Sequence, residues 1–192
     1  MSTTDCNKNS NRVREIAMNQ SIKTFQHTVR RLAEQWMSDG LPSREGLDEA
    51  AQTLVQLRQK SSLPGIWHSP PTLATATLDD GLGQGLAVIE AFATAIGMRI
   101  IHLGLMQTAE KIIEDCHRHK PDFLGLTVLQ FDTEEDLLFV AEKLPRQTQI
   151  VAGGPVFTGD PDFAERTGTH YAAKNVADFL LLMLDSATES DK

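Results

Sequence analysis

Three stretches of this chain combine residue types able to seat a ligand. The first is Thr77-Leu78-Asp79-Asp80-Gly81-Leu82-Gly83-Gln84-Gly85, where glycines occupy alternate positions just after a β-favouring run. Glycine lets the backbone turn sharply and approach a ligand closely. The helical pattern behind it (Leu86, Val88, Ile89, Phe92, Ala93, Ile96) aims free N–H groups and a positive dipole end at the same place. The second stretch, Leu124-Gly125-Leu126-Thr127-Val128-Leu129, brings a hydroxyl to the end of an apolar run. The third, Val151-Ala152-Gly153-Gly154-Pro155, ends another apolar run in a double glycine. All three have the form of a strand followed by a turn, the edge at which parallel α/β sheets bind ligands.

Several chemistries are excluded by spacing. A dinucleotide site needs Gly-x-Gly-x-x-Gly and an acidic residue after the next strand. Here the glycines run Gly81-x-Gly83-x-Gly85, and the next strand ends in His102-Leu103-Gly104 without a carboxylate. A phosphate loop needs Lys-Ser or Lys-Thr after its glycines, and none follows. No Ser-His-Asp or Cys-His nucleophile set is recognisable. Cys116-His117-Arg118-His119 has one pair, Cys116 and His119, at a spacing that shares a helix face, and two ligands do not make a structural zinc site. His68 and His102 flank strands as loop-edge histidines. The acidic run Asp132-Thr133-Glu134-Glu135-Asp136 favours the positive end of a helix rather than acid–base work. Trp36 and Trp67 read as core residues, with covering a planar ligand as the alternative.

These stretches need elements to position them. Residues 1–11, rich in Ser, Thr and Asn, read as a disordered tail. Residues 12–66 form a helical region. From Arg12 to Met37, Val13, Ile16, Ile22, Phe25, Val29, Leu32 and Trp36 recur at helical spacing, and Gly40 and Pro42 stop that helix. Ser43 offers an N-cap to a second helix carrying Leu47, Ala50, Ala51, Leu54, Val55 and Leu57. The resulting hairpin has one apolar face to bury, against the following domain or a second copy of the chain. Residues 67–192 then alternate strand and helix. Strands are expected at 72–78, 99–104, 122–127, 149–154 and 169–173, with helices at 85–97, 108–119, 133–144, 161–166 and 175–184. Strict alternation with continuously apolar strands implies a parallel sheet covered on both faces. The expected fold is therefore a flavodoxin-like (Rossmann-like), doubly wound, five-stranded α/β domain preceded by a helical hairpin.

Composition agrees with a globular chain: 192 residues, 41% hydrophobic and 23% charged. A formal charge of −8 opposes general binding to nucleic acid, and the basic residues Arg12, Arg14, Lys23, Arg30 and Arg31 read as one solvated helix face. No apolar run is long enough to span a bilayer. The polar start and the two distant cysteines, Cys6 and Cys116, lead us to expect a cytoplasmic protein with reduced thiols.

Taken together, the three glycine-bearing stretches resemble the cobalamin-binding domain of methionine synthase, methylmalonyl-CoA mutase and corrinoid methyltransferase systems. That family carries Asp-x-His-x-x-Gly after its first strand, Ser-x-Leu after its third and Gly-Gly after its fourth. The resemblance covers roughly Thr72 to Leu184, including Lys120-Pro121-Asp122 and the Tyr171-Ala172 strand. It implies cofactor contacts from Asp80, Gly81, Leu82, Gly83 and Gly85, from Thr127, Val128 and Leu129, and from Gly153, Gly154, Pro155 and Tyr171. In the family the cofactor's nucleotide tail enters a slot, and the resemblance implies that Gly85, Gly153 and Gly154 keep that slot clear while Thr127 bonds a tail nitrogen. One departure alters the chemistry. The family's cobalt-ligating histidine falls at Leu82, which has no lone pair. The expectation is a cobalamin-binding protein, base-on or without a protein axial ligand, acting as carrier or partner subunit to a methyltransferase or radical enzyme. It is not expected to catalyse alone. The alternative is a sensor or regulatory interaction protein on the same fold, binding haem or a corrinoid.

Overall fold

A computed structural model describes residues 3–79 and 82–190, with side chains from Arg14 to Glu189. Two helices open the chain, α1 (Thr3–Asp39) and α2 (Arg44–Lys60). Helical backbone in α1 thus takes in much of the stretch expected to be disordered. Ser43 caps α2 by accepting a hydrogen bond from the Gly46 amide at 3.2 Å. The α/β part follows as β1 (Thr72–Thr77), α3 (Gln84–Ile96), β2 (Arg99–Gly104), α4 (Ala109–His119), β3 (Phe123–Thr127), α5 (Glu134–Lys143), β4 (Gln149–Gly153), α6 (Val156–Gly159), α7 (Phe163–Arg166), β5 (Tyr171–Ala173) and α8 (Val176–Ser190). A single 3-10 turn, Phe131–Thr133, leads into α5.

The strands form one parallel sheet in the order β2-β1-β3-β4-β5. That order reverses direction between β1 and β3, and the switch point opens at the carboxyl ends of these two strands. Side chains alternate across the sheet. Leu73, Phe123, Val151 and Ala173 face α3 and α8, while Ala74, Ala76, Leu124, Leu126, Ile150 and Ala152 face the layer of α4 to α7.

The apolar stripe of α1 (Ile22, Phe25, Val29, Ala33, Trp36) is fully covered by the chain's own α/β domain. α1 lies along α8 and α2 along α3. Each large side chain of the stripe contributes on the order of 1.5–3 kcal/mol through burial. Trp36 meets Phe92 of α3 edge to face at 5.5 Å. Arg58 of α2 donates to the carbonyls of Thr94 and Ala95, the open C-terminal end of α3.

Two elements differ from the sequence expectation. The helix expected at 161–166 is the short turn α7, and a second short turn that was not expected, α6, precedes it across Asp160-Pro161-Asp162. Arg166 ties the region together instead, with a two-pronged bond to Glu134 at 3.0 Å and a bond to Asp160 at 2.8 Å. The closing helix continues six residues past Leu184, to Ser190.

Candidate ligand-binding site

On the sheet face towards α3 and α8, the alternation of β3, β4 and β5 places small residues side by side. Gly125 pairs with Val151, Thr127 with Gly153, and Gly153 with Ala173. Opposite them stand Val88 and Ile89 of α3 and Phe179 of α8. Between sheet and helices lies a slot of roughly 480 Å³ that reaches from the carboxyl edge of the sheet down to Gly125 and Val151. Its mouth is formed by Leu82, Gln84 and Gly85, by Leu129, and by Lys174 and Asn175. Leu41 and Leu47, from the tip of the helical hairpin, close one side. Arg44 fastens that tip to the glycine turn by donating to the Gln84 carbonyl at 3.2 Å.

The slot is apolar, with few polar groups. Lys174, at the mouth, is its only ionisable lining residue among the described residues. Asn175 is committed to capping α8, its Oδ1 accepting from the amides of Ala177 and Asp178 at 2.9 and 3.0 Å. The Thr127 hydroxyl takes no protein partner among the described residues. Such a lining suits the binding of a largely apolar ligand.

The expected site residues divide into groups. Leu82, Gly85, Thr127, Leu129, Gly153 and Gly154 line the slot together. Asp80 and Gly81 lie outside the described residues. Gly83 is buried in the left-handed N-cap of α3, beneath the Leu105 side chain. Val128 is buried within the α4–α7 layer, and Pro155 is exposed at the start of α6. Tyr171 is turned towards the far end of the sheet, its hydroxyl donating to Gln149 Oε1 at 3.5 Å.

The three glycines differ in what surrounds them. A Cβ on Gly154, at φ +134°, would stand 1.9 Å from the Val128 carbonyl oxygen, and one on Gly153 would stand 2.7 Å from that of Ala173. The double glycine, besides lining the slot, therefore serves close backbone contact between β4 and its neighbours. Gly85 is the reverse case, since a Cβ there would meet no atom of the described residues within 4 Å.

Sequence reasoning missed three contributors. Gly125 is the bare floor of the slot, and a glycine inside an apolar strand is itself a sign of close approach. Phe179 is the facing wall, hidden in an ordinary apolar helix. Asp79, beside the expected Asp80, accepts from the amides of Leu129 and Gln130 with one oxygen, both at 2.8 Å, and so locks the end of β3 onto β1. Its other oxygen is buried without a hydrogen-bond partner.

The remaining candidates fall elsewhere. Trp36 and Trp67 are core residues, and His68 lies at the amino end of the sheet with Pro70 and Pro71. His102 Nδ1 is paired with Glu90 at 3.0 Å on β2. The Cys116 thiol is buried, which together with the Asp115 charge pushes its pKa up to about 12 and leaves it inert near neutrality. Among the described residues no group of three His, Cys, Asp or Glu side chains is placed to hold a metal, and no helix is long and apolar enough to cross a membrane.

Comparison with known proteins supplies the context of this slot. The chain superimposes on the crystal structure of a novel cobalamin-binding protein from Desulfitobacterium hafniense DCB-2, with a TM-score of 0.73 at 19% identity, over 95% of this chain and 91% of that one. It also matches the Methanosarcina barkeri monomethylamine corrinoid protein, with a TM-score of 0.54 at 17% identity, over 82% and 78% of the two chains. The methanol:cobalamin methyltransferase complex MtaBC from the same organism matches with a TM-score of 0.61 at 16% identity, over 88% and 68%. At these identities the likeness establishes the fold. No curated protein matches the chain. The family model of the B12 binding domain matches residues 72–177, more than half of the chain and the whole of the slot-bearing sheet, and the chain belongs to that family.

Proposed function

We propose that this protein is a corrinoid carrier that holds cobalamin by its nucleotide tail, offers cobalt no side-chain ligand from position 82, and presents the cofactor to a methyltransferase or radical enzyme. The observation that carries this reading is the slot. It is narrow, apolar and open at the switch point, and its volume of roughly 480 Å³ falls within the usual range of small-molecule sites. A flat aromatic base fits between bare strands and the Val88, Ile89 and Phe179 side chains, with the Thr127 hydroxyl free to bond it. Around the mouth, Leu82 is 78% exposed and Leu129 40% exposed, an apolar seat beside the slot for a macrocycle.

When bound, the corrinoid supplies the methyl-transfer or radical chemistry. The chain's own residues bind and orient. Asp79 fixes Leu129 and Gln130, the hairpin tip covers the slot through Leu41 and Leu47, and Leu82 keeps the site without an imidazole. The largely apolar lining of the slot supports a carrier whose substrate is held by another chain. The relatives named above as cobalamin-binding, corrinoid and methyltransferase proteins support this assignment.

The test is direct. Purified protein mixed with hydroxocobalamin is passed through gel filtration, and the absorbance of the protein peak is read. Co-elution of the corrinoid near one equivalent is expected. A colourless protein peak would remove the reading, and a Soret band from haem alone would put a haem sensor in its place.

A further inference from the structure

We infer that the slot selects corrinoids whose trailing base is a benzimidazole over those whose base is a purine. This rests on the corrinoid reading above and adds a specificity to it.

The argument is one of hydrogen-bond supply. The floor of the slot is backbone of β3 and β4, at Gly125, Thr127 and Gly153, and the amides and carbonyls there are committed to the sheet ladder. The walls, Val88, Ile89 and Phe179, carry no polar atoms. The side chains of Gln84, Lys174 and Asn175 stand at the mouth rather than at the floor, and the Asn175 oxygen is occupied by the α8 amides. Among the described residues, one side-chain hydroxyl, that of Thr127, remains within the slot below the mouth. A benzimidazole attached to its ribose through one nitrogen presents a single ring acceptor, and one hydroxyl satisfies it. An adenine attached in the same way presents several ring acceptors and an exocyclic amine. All but one of these groups would lose water and gain nothing. A buried polar group without a partner costs the full desolvation of that group. An apolar pocket cannot reject a merely similar shape strongly, so the discrimination comes from these unpaired atoms and is about tenfold or more in Kd.

Three probes test this by absorbance titration: hydroxocobalamin, the adenine-based cobamide in the same aquo or hydroxo form, and cobinamide, which has no tail. The expected order of affinity is hydroxocobalamin, then the adenine form about tenfold weaker, then cobinamide. Val88→Gln, on the half-buried slot side of α3, should narrow the gap between the first two. Circular dichroism checks that the variant is folded. Equal affinity for the benzimidazole and adenine forms would overturn the specificity while leaving the corrinoid reading intact. Equal binding of all three would show that the tail is not held in the slot at all. If none binds, the corrinoid reading and the specificity fall together.

Discussion

A side chain at Gly85 should make the protein slightly more stable and a poorer binder at the same time. Gly85 is the second residue of α3, lies at the slot mouth, and has no atom of the described residues within 4 Å of where a Cβ would stand. Gly85→Leu therefore meets no steric penalty in the free protein. Glycine in a helix interior is about 1 kcal/mol worse than a good helix former, and near the first turn about half of that is recovered. For a chain of this size the gain raises Tm by about 1–2 °C. In the complex the added side chain competes for space with whatever enters the slot. Overpacking of a fitted site costs about 1–3 kcal/mol, which is roughly a 5- to 150-fold rise in Kd for hydroxocobalamin. Gly154→Ala is the control with the opposite signature. Its Cβ would lie 1.9 Å from the Val128 carbonyl, on a backbone at φ +134°. Strain of this kind costs about 1–3 kcal/mol before the clash is counted, so Tm should drop by about 5–10 °C. Differential scanning fluorimetry and absorbance titration measure both quantities. Gly85→Leu with a raised Tm and unchanged affinity would show that no ligand passes Gly85, and the slot assignment would fail.

Leu82→His should shift the absorption spectrum of the bound corrinoid towards a nitrogen-ligated form, and an unchanged spectrum would mean that residue 82 does not lie beneath the metal. Asp79→Ala strips the amides of Leu129 and Gln130 of their shared partner. Bonds to a charged group contribute about 1.5–3 kcal/mol, so Tm should fall by several degrees, with faster amide exchange at these two residues, and unaltered exchange there would refute the role. Arg166 holds the Glu134 and Asp160 carboxyls below their usual range, chiefly through its hydrogen bonds, with burial opposing them and its charge adding a smaller share. Because the native values are lowered, the stabilisation is complete above roughly pH 4.5 and is lost as pH falls through them. The Tm difference between the natural protein and Arg166→Gln should accordingly be constant near neutrality and shrink in acid, and a difference that grows in acid would contradict the clamp.

Much of the fold was legible because its signals are local. β2 falls at Arg99–Gly104 as its apolar run indicates, and the caps at Ser43 and Thr108 are polar residues placed just before helical periods. The weakest reading was at 156–166, where a short turn of four residues, α6, carries too little periodicity to register. What holds that region, the bond of Arg166 to Glu134, joins residues 32 apart and leaves no sequence pattern.

The site shows the same limit more sharply. Motif spacing brings Gly85, Thr127 and Gly153 to one slot, yet it does not say which way each missing side chain would point. That depends on φ and on the neighbouring strand, and so Gly154 and Gly85, equal in a motif, differ from 1.9 Å of clearance to none needed. Gly125 escaped notice because it sits inside an apolar run, but alternation alone places it on the face of Thr127, one pleat deeper, with Gly153 beside them on β4. Read with a period of two, the third and fourth strands already describe a floor without side chains. What no local pattern could reveal is the other wall. Phe179 and Val88 come from helices more than 90 residues apart in sequence, and only the crossover of the sheet brings them over the same strip of bare backbone. A slot whose floor is set by short-range alternation and whose walls are set by topology can keep its shape while its polar groups drift. On the corrinoid reading proposed above, a leucine at position 82 is therefore compatible with a tail site in the slot, because Leu82 and Gly125 belong to different parts of the fold.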